Sequence, residues 1–107
     1  MNFLLTTQYK DSWYALPAEK RTEIVAATVA FHDKYLKAGK LKDTYTFADG
    51  TLMSIWDVAN LEEMLIIRME HPYAGLVDTE TAPFLDHKAV VKLRNEALAA
   101  ARKATKK

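Results

Sequence analysis

The chain contains no cysteine. Disulfide stapling, thiolate catalysis and cysteine-ligated metals are therefore excluded, and the expected setting is cytoplasmic. A surplus of one charge is also missing. Fifteen Lys and Arg stand against 14 Asp and Glu, a formal net charge of +1, so there is no electrostatic footprint for nucleic acid. No stretch approaches the ~20 apolar residues of a membrane span. The Met1–Gln8 segment has no basic leader and too short an apolar run for a signal peptide. Glycine is scarce: the three glycines are isolated, which rules out a glycine-rich phosphate loop. Ser12 and Ser54 lack the Gly-x-Ser-x-Gly context of a nucleophile elbow. The one basic cluster, Arg102, Lys103, Lys106 and Lys107, suits the dipole of a helix C-terminus and solubility, with an anion or nucleic-acid contact as the alternative.

Half of the 107 residues are apolar, enough to build the core of a single domain spanning 1–107. The strongest local signal is residues 44–58. Two alternating strands, 41–48 and 51–58, meet at Asp49-Gly50, a dipeptide suited to a two-residue hairpin turn with positive φ at both positions. Before it, residues 2–9 alternate as a strand with Phe3, Leu5, Thr7 and Tyr9 on one face. Residues 10–15 read as a loop carrying Trp13 and Tyr14. Pro17 suits a first helical turn, and Ile24, Thr28, Phe31 and Tyr35 follow the helical period, with Val25, His32 and Leu36 widening the stripe. Gly39 reads as the residue that ends this helix.

In the first hairpin strand Leu41, Asp43, Tyr45 and Phe47 share a face by simple alternation. After the hairpin, Asn60 with Glu63 marks a helix start, and Leu61, Met64, Leu65 and Met69 form its stripe. The pre-proline position His71 should stop it. Residues 76–83 read as a weaker strand that Pro83 ends or places at an edge. A last helix runs from the N-cap Asp86 to about residue 103. The order β-α-β-β-α-β is ferredoxin-like: an α+β fold with an antiparallel four-stranded sheet, here with a helical extension at 86–103. Strand 51–58 is apolar on both faces, Leu52 and Trp56 against Met53 and Ile55. Two helices cover one face of such a sheet, so the other should be covered by a partner subunit or by the last helix.

The long helix ending Leu36-Lys-Ala-Gly39, the aromatic hairpin, Ser54-Ile-Trp-Asp-Val58 leading into Asn60-Leu-Glu-Glu63, His71-Pro-Tyr73 and Phe84-Leu-Asp-His87 together resemble the muconolactone isomerase family of dimeric α+β barrels. The resemblance covers roughly residues 2–87 and contains no diagnostic catalytic motif. It implies a homodimer or higher homo-oligomer, a cleft for a small flat ligand, and chemistry without a cofactor. It also implies charged side chains in the middle of the long helix, where this chain has the uncharged Val25–Ala30. That departure puts the lactone isomerisation itself in question and leaves the scaffold intact.

Three histidines are candidates for acid–base work. His32 lies on the apolar side of its helix and reads as either a general base or a buried structural histidine. His71, at a helix end, and His87, beside an N-cap, have bland readings in dipole pairing and exposure. No pair has the i, i+4 spacing of a helical metal site, so no metal is expected. Asp43 is a second candidate base if burial raises its pKa, or else an exposed residue at a strand start. Tyr9, Trp13, Tyr14, Tyr45, Trp56 and Tyr73 lie on strands or on loops at strand ends, where aromatics with polar tips can orient a flat ligand. An aromatic content of 10% is ordinary, so core packing is the competing reading. Alternation places Tyr9, Tyr45 and Trp56 on one sheet face, with Asp43 beside Tyr45.

These readings describe a small cofactor-independent enzyme acting by proton transfer on a small cyclic or aromatic compound. His32 or Asp43 serves as base, and the aromatics, Tyr9, Tyr45 and Trp56 foremost, position the ligand. The alternatives are a non-catalytic ligand-binding or assembly module, and a cofactor-free monooxygenase.

Overall fold

The computed structural model describes residues 1–105; Lys106 and Lys107 of the basic cluster lie outside the described residues. The elements are β1 (Asn2–Tyr9), α1 (Asp11–Tyr14), α2 (Ala18–Lys37), β2 (Leu41–Thr46), β3 (Leu52–Asp57), α3 (Leu61–Glu70), β4 (Val77–Phe84) and α4 (His87–Thr105). The four strands form one antiparallel sheet in the order β2-β3-β1-β4, with β1 paired to both β3 and β4. This is the ferredoxin-like arrangement, and β4, which carries Pro83, is an edge strand.

Local chemistry explains most boundaries. Gly39, at φ +74°, closes α2: its N–H donates to Leu36 and the Lys40 N–H to the Tyr35 carbonyl, a Schellman arrangement. The Asn60 side chain accepts from the Glu63 N–H at 2.9 Å and starts α3. His71 adopts extended backbone ahead of Pro72 and stops it. Residues 10–15 are not a plain loop: α1 is a single turn that buries Trp13.

Two corrections concern the hairpin. Among the described residues only glycines have positive φ, so Asp49 does not take the left-handed conformation of a two-residue turn. Instead Gly50 N–H donates to the Phe47 carbonyl and Phe47 N–H to the Thr51 carbonyl, leaving a three-residue loop in which Gly50 alone is left-handed, at φ +89°. The second correction is register. Leu41 pairs with Trp56 but Asp43 pairs with Ile55, so Lys42 is an extra, bulged residue. A one-residue insertion flips every following side chain to the other face. Asp43 and Tyr45 therefore share the face of Ile55 and Met53, while Thr44 and Thr46 join Ser54 and Leu52 on the face of Trp56.

The core lies between the helices and the face carrying Phe3, Leu5, Leu41 and Trp56. Helix α2 turns Thr28 and Tyr35 fully inward, with Phe31 packed against the core. Helix α3 buries Met64 and Ile67; of the stripe expected for it, Leu61, Leu65 and Met69 are exposed. The opposite sheet face is not covered by α4. Every described side chain of α4 is exposed, including Val90, Leu93 and Leu98, and the molecule measures 72 Å along its longest axis against 28 and 23 Å.

Candidate active site

Helices α2 and α3 lie over one face of the sheet, and together with its strands they line a cavity of about 830 Å³. Its floor is the alternating set that β-geometry turns to one side: Leu5 and Thr7 from β1, Leu52, Ser54 and Trp56 from β3, and Thr79 from β4. Trp56 is fully buried, and its indole N–H donates to Ser54 Oγ at 2.8 Å. Val25 and Val29 of α2 and Leu65 and Met69 of α3 line the cavity and are exposed, so its rim is apolar.

The polar end of the cavity is where α2 meets the turn after α3. His32 Nε2 and His71 Nε2 lie 3.2 Å apart. The Tyr73 backbone N–H donates to His71 Nδ1 at 3.1 Å. An amide can only donate, so Nδ1 carries a lone pair and the neutral ring of His71 holds its proton on Nε2. His71 is then the donor in the pair and His32 Nε2 the acceptor. Burial lowers the pKa of His71 to about 4, with the neighbouring His32 adding to the shift. Burial also lowers His32, against a smaller opposing effect of Asp33. Both rings are neutral at pH 7. Phe31 holds them sterically, its ring edge-on to His71 at 4.8 Å between centroids.

Beside the pair stands an aromatic cluster. Tyr9 stacks on Trp13 at 4.9 Å, Tyr73 meets both edge-on, and the Tyr9 hydroxyl donates to the Tyr73 hydroxyl at 3.2 Å. Burial, and then the bond to Tyr73, raise the Tyr9 pKa, so the phenol stays protonated. The remaining polar side chain of note is Arg68. Its Nη1 donates to Thr81 Oγ1 at 2.9 Å and its Nη2 to the Thr79 carbonyl at 3.2 Å.

Of the residues singled out from sequence, His32, Tyr9, Tyr45, Trp56 and Tyr73 line the cavity. Trp13 does not; it supports Tyr9 and Tyr73 from behind. Asp43 does not either, because the bulge at Lys42 turns it to the far face, where its interaction with Tyr45 raises the Tyr45 pKa. Tyr45 borders the cavity while belonging by register to that far face, apart from Tyr9 and Trp56. The expectation of one face for Tyr9, Tyr45 and Trp56 is thus corrected. His71, whose bland reading from sequence is dipole pairing at a helix end, also lines the cavity, and Arg68 is not among the residues expected there. Their spacing of three on a helix that ends at Pro72 is the only sequence signal that they share a surface. Among the described residues no group of three or more His, Asp or Glu side chains could hold a metal ion, and no helix is long and apolar enough to cross a membrane.

No family model and no curated protein sequence matches the chain. Solved structures do. One is muconolactone isomerase, which superposes with a TM-score of 0.65 over 81% of this chain and 91% of its own, at 21% identity. The chain has the muconolactone isomerase fold. A second match is 5-chloro-2-hydroxyhydroquinone dehydrochlorinase from Burkholderia phenoliruptrix AC1100, solved in complex with 2,5-dihydroxybenzoquinone. It has a TM-score of 0.65 over 83% of this chain and 98% of its own, at 17% identity. The muconolactone isomerase fold is thus found here on a sequence far from both enzymes. Each superposition leaves somewhat under a fifth of this chain unmatched, a share close to that of α4, with 19 residues. In this chain Val25, Thr28 and Val29 of the α2 wall of the cavity are uncharged, and the titratable side chain that α2 brings to the cavity is His32.

Proposed function

We propose that the chain is a cofactor-independent enzyme that moves a proton on a small cyclic or aromatic carbonyl compound. The observation that carries this reading is the neutral His32–His71 pair with its fixed direction of donation at the wall of an apolar cavity. A bound carbonyl oxygen takes over the His71 Nε2–H, which frees the His32 Nε2 lone pair for the adjacent C–H. His32 takes that proton, and the C–H electron pair moves onto the carbonyl oxygen as an enolate held by His71. His32 then returns the proton to another carbon of the conjugated system and the carbonyl re-forms. A neutral imidazole is a suitable electrophile in such a step, and the apolar surroundings strengthen its hydrogen bond. Tyr9, Trp56 and Tyr73 orient the ring. The two enzymes of the same fold, acting on a muconolactone and on a chlorinated hydroxyhydroquinone, support a small cyclic substrate.

The test is carbon-bound hydrogen exchange in D2O, followed by NMR, with a panel of unsaturated lactones and cyclic enones. Exchange with wild type that is lost in His32→Gln supports the mechanism. Equal exchange in both proteins removes His32 from it.

The same reading includes self-association. One sheet face carries Leu4, Met53, Ile55 and Phe84 with no helix over it among the described residues, and an apolar sheet face of this kind is buried in stable assemblies. A second copy packed sheet to sheet is the occupant that fits the fold.

A further inference from the structure

The cavity wall carries a single formal charge among the described residues, and that charge is the Arg68 guanidinium. Its two hydrogen bonds go to neutral acceptors, Thr81 Oγ1 and the Thr79 carbonyl, and among the described residues no carboxylate forms an ion pair with it. The nearest acidic side chain in sequence, Glu70, accepts from the Tyr35 hydroxyl instead. A half-buried cation without a counter-charge is costly, and an anion supplied by a ligand offsets that cost. Two of the five guanidinium N–H groups are spent on β4, which holds the fork in one orientation and leaves three donors for a planar oxyanion.

We infer that the cavity binds a flat, unsaturated organic monoanion whose oxyanion, a ring carboxylate or ring enolate, sits on Arg68 while its ring lies over the apolar floor. The inference rests on the proton-transfer reading for the ring's place beside the histidines. The spacing supports it. Arg68 and His71 are three residues apart at the end of α3, joined by the His71 N–H to Arg68 carbonyl bond, so their side chains leave the helix about 5–6 Å apart. That puts both side chains within reach of a single ring and its exocyclic oxygens. A monoanion fits because there is one cation and both histidines are neutral. A cavity of about 830 Å³ is of ordinary size for a small-molecule site.

The experiment is isothermal titration of the full chain at pH 7.5 with two matched pairs: benzoate against benzamide, and the cyclohexane-1,3-dione enolate against its methyl enol ether. Wild type should bind at least one anion about tenfold or more tightly than its neutral partner, the scale of a charge-assisted hydrogen bond. The pair that shows the ratio identifies the oxyanion. Arg68→Gln should abolish the ratio, and Arg68→Lys, which keeps the charge but not the fork, should retain part of it. Where Arg68→Gln fails to fold, the wild-type ratio and Arg68→Lys decide. Neutral compounds binding as well as the anions would overturn the inference and leave the proton-transfer reading standing on its own exchange assay. An anion preference that survives Arg68→Gln would also overturn it. Binding of neither pair overturns it too, and absence of hydrogen exchange in the same sample then removes the underlying reading as well.

Discussion

The Nε2 atoms of His32 and His71 stand 3.2 Å apart although 39 residues separate them in the chain. His32 comes from the third quarter of α2 and His71 from the residue that ends α3, so the pair exists only because both helices cross the same sheet face. Its direction is set by a backbone N–H, that of Tyr73, rather than by a side-chain carboxylate. Removing the donor should therefore not leave the base intact in function. His71→Gln is expected to keep ligand binding within a few-fold and to lower the rate of proton exchange by about 10²–10³, the range for losing one preorganised donor. A loss of binding with an unchanged rate on bound substrate would refute the role given to His71.

The pair should also be visible in the pH dependence of stability. In the native state His71 titrates near 4, against its ordinary value of 6.5, and His32 is lowered as well. The unfolded chain binds these protons first as pH falls. Stability present above pH 6.5 should therefore be lost progressively between about pH 6.5 and pH 4. Urea midpoints measured across that window in wild type and in His71→Gln check the sign: the wild-type slope should be the steeper. A flat wild-type profile would contradict the burial described for the two rings.

Trp13 should matter to the fold more than to the ligand. It is buried under Tyr9 and Tyr73 and does not line the cavity. Trp13→Ala is expected to cost about 3–5 kcal/mol, as large-to-small changes in a packed cluster do. Tyr73→Phe, which removes only the acceptor of the Tyr9 hydroxyl, should cost about 1 kcal/mol. Chemical denaturation of the two variants separates these magnitudes.

Self-association should depend on the uncovered sheet face and not on the core. Ile55→Lys places a charge on that face, next to Leu4 and Asp43 in register. Light scattering coupled to size exclusion should show wild type as a dimer or larger and Ile55→Lys as a smaller species with native circular dichroism. A wild type that is monomeric at micromolar concentration would dispose of the sheet-to-sheet arrangement.

Truncation after Asp86 tests α4 directly. Its described side chains are exposed and it stands away from the sheet. The truncated chain should keep the sheet's circular dichroism and its thermal midpoint in a monomeric background such as Ile55→Lys. A large destabilisation there would mean that α4 packs on its own chain.

Much of this protein was legible along the chain because the determining interactions are local. Phe3 and Leu5 alternate onto the buried face, Gly39 and the Asn60–Glu63 pair end and begin helices through bonds spanning at most five residues, and Pro72 stops α3. The order of elements then suffices for the ferredoxin-like sheet. Other features were decided by tertiary structure. Strict period-two alternation put Asp43 and Tyr45 on the face of Trp56; a single bulged residue, Lys42, reversed this, and a bulge is set by pairing with β3 rather than by the identity of Lys42. Asp49-Gly50 has the composition of a two-residue turn, yet the pairing of Phe47 with Thr51 made it three. The site was less legible than the fold. His32 and His71 are each legible as candidates but not as a pair, because a helical stripe shows which side chains face inward but not what they meet there. That His71 donates to His32, and that Arg68 has no carboxylate partner among the described residues, are facts about contacts between α2, α3 and β4. Side-chain chemistry and short-range backbone bonding belong to the sequence; which lone pair faces which proton belongs to the packing of helices on the sheet.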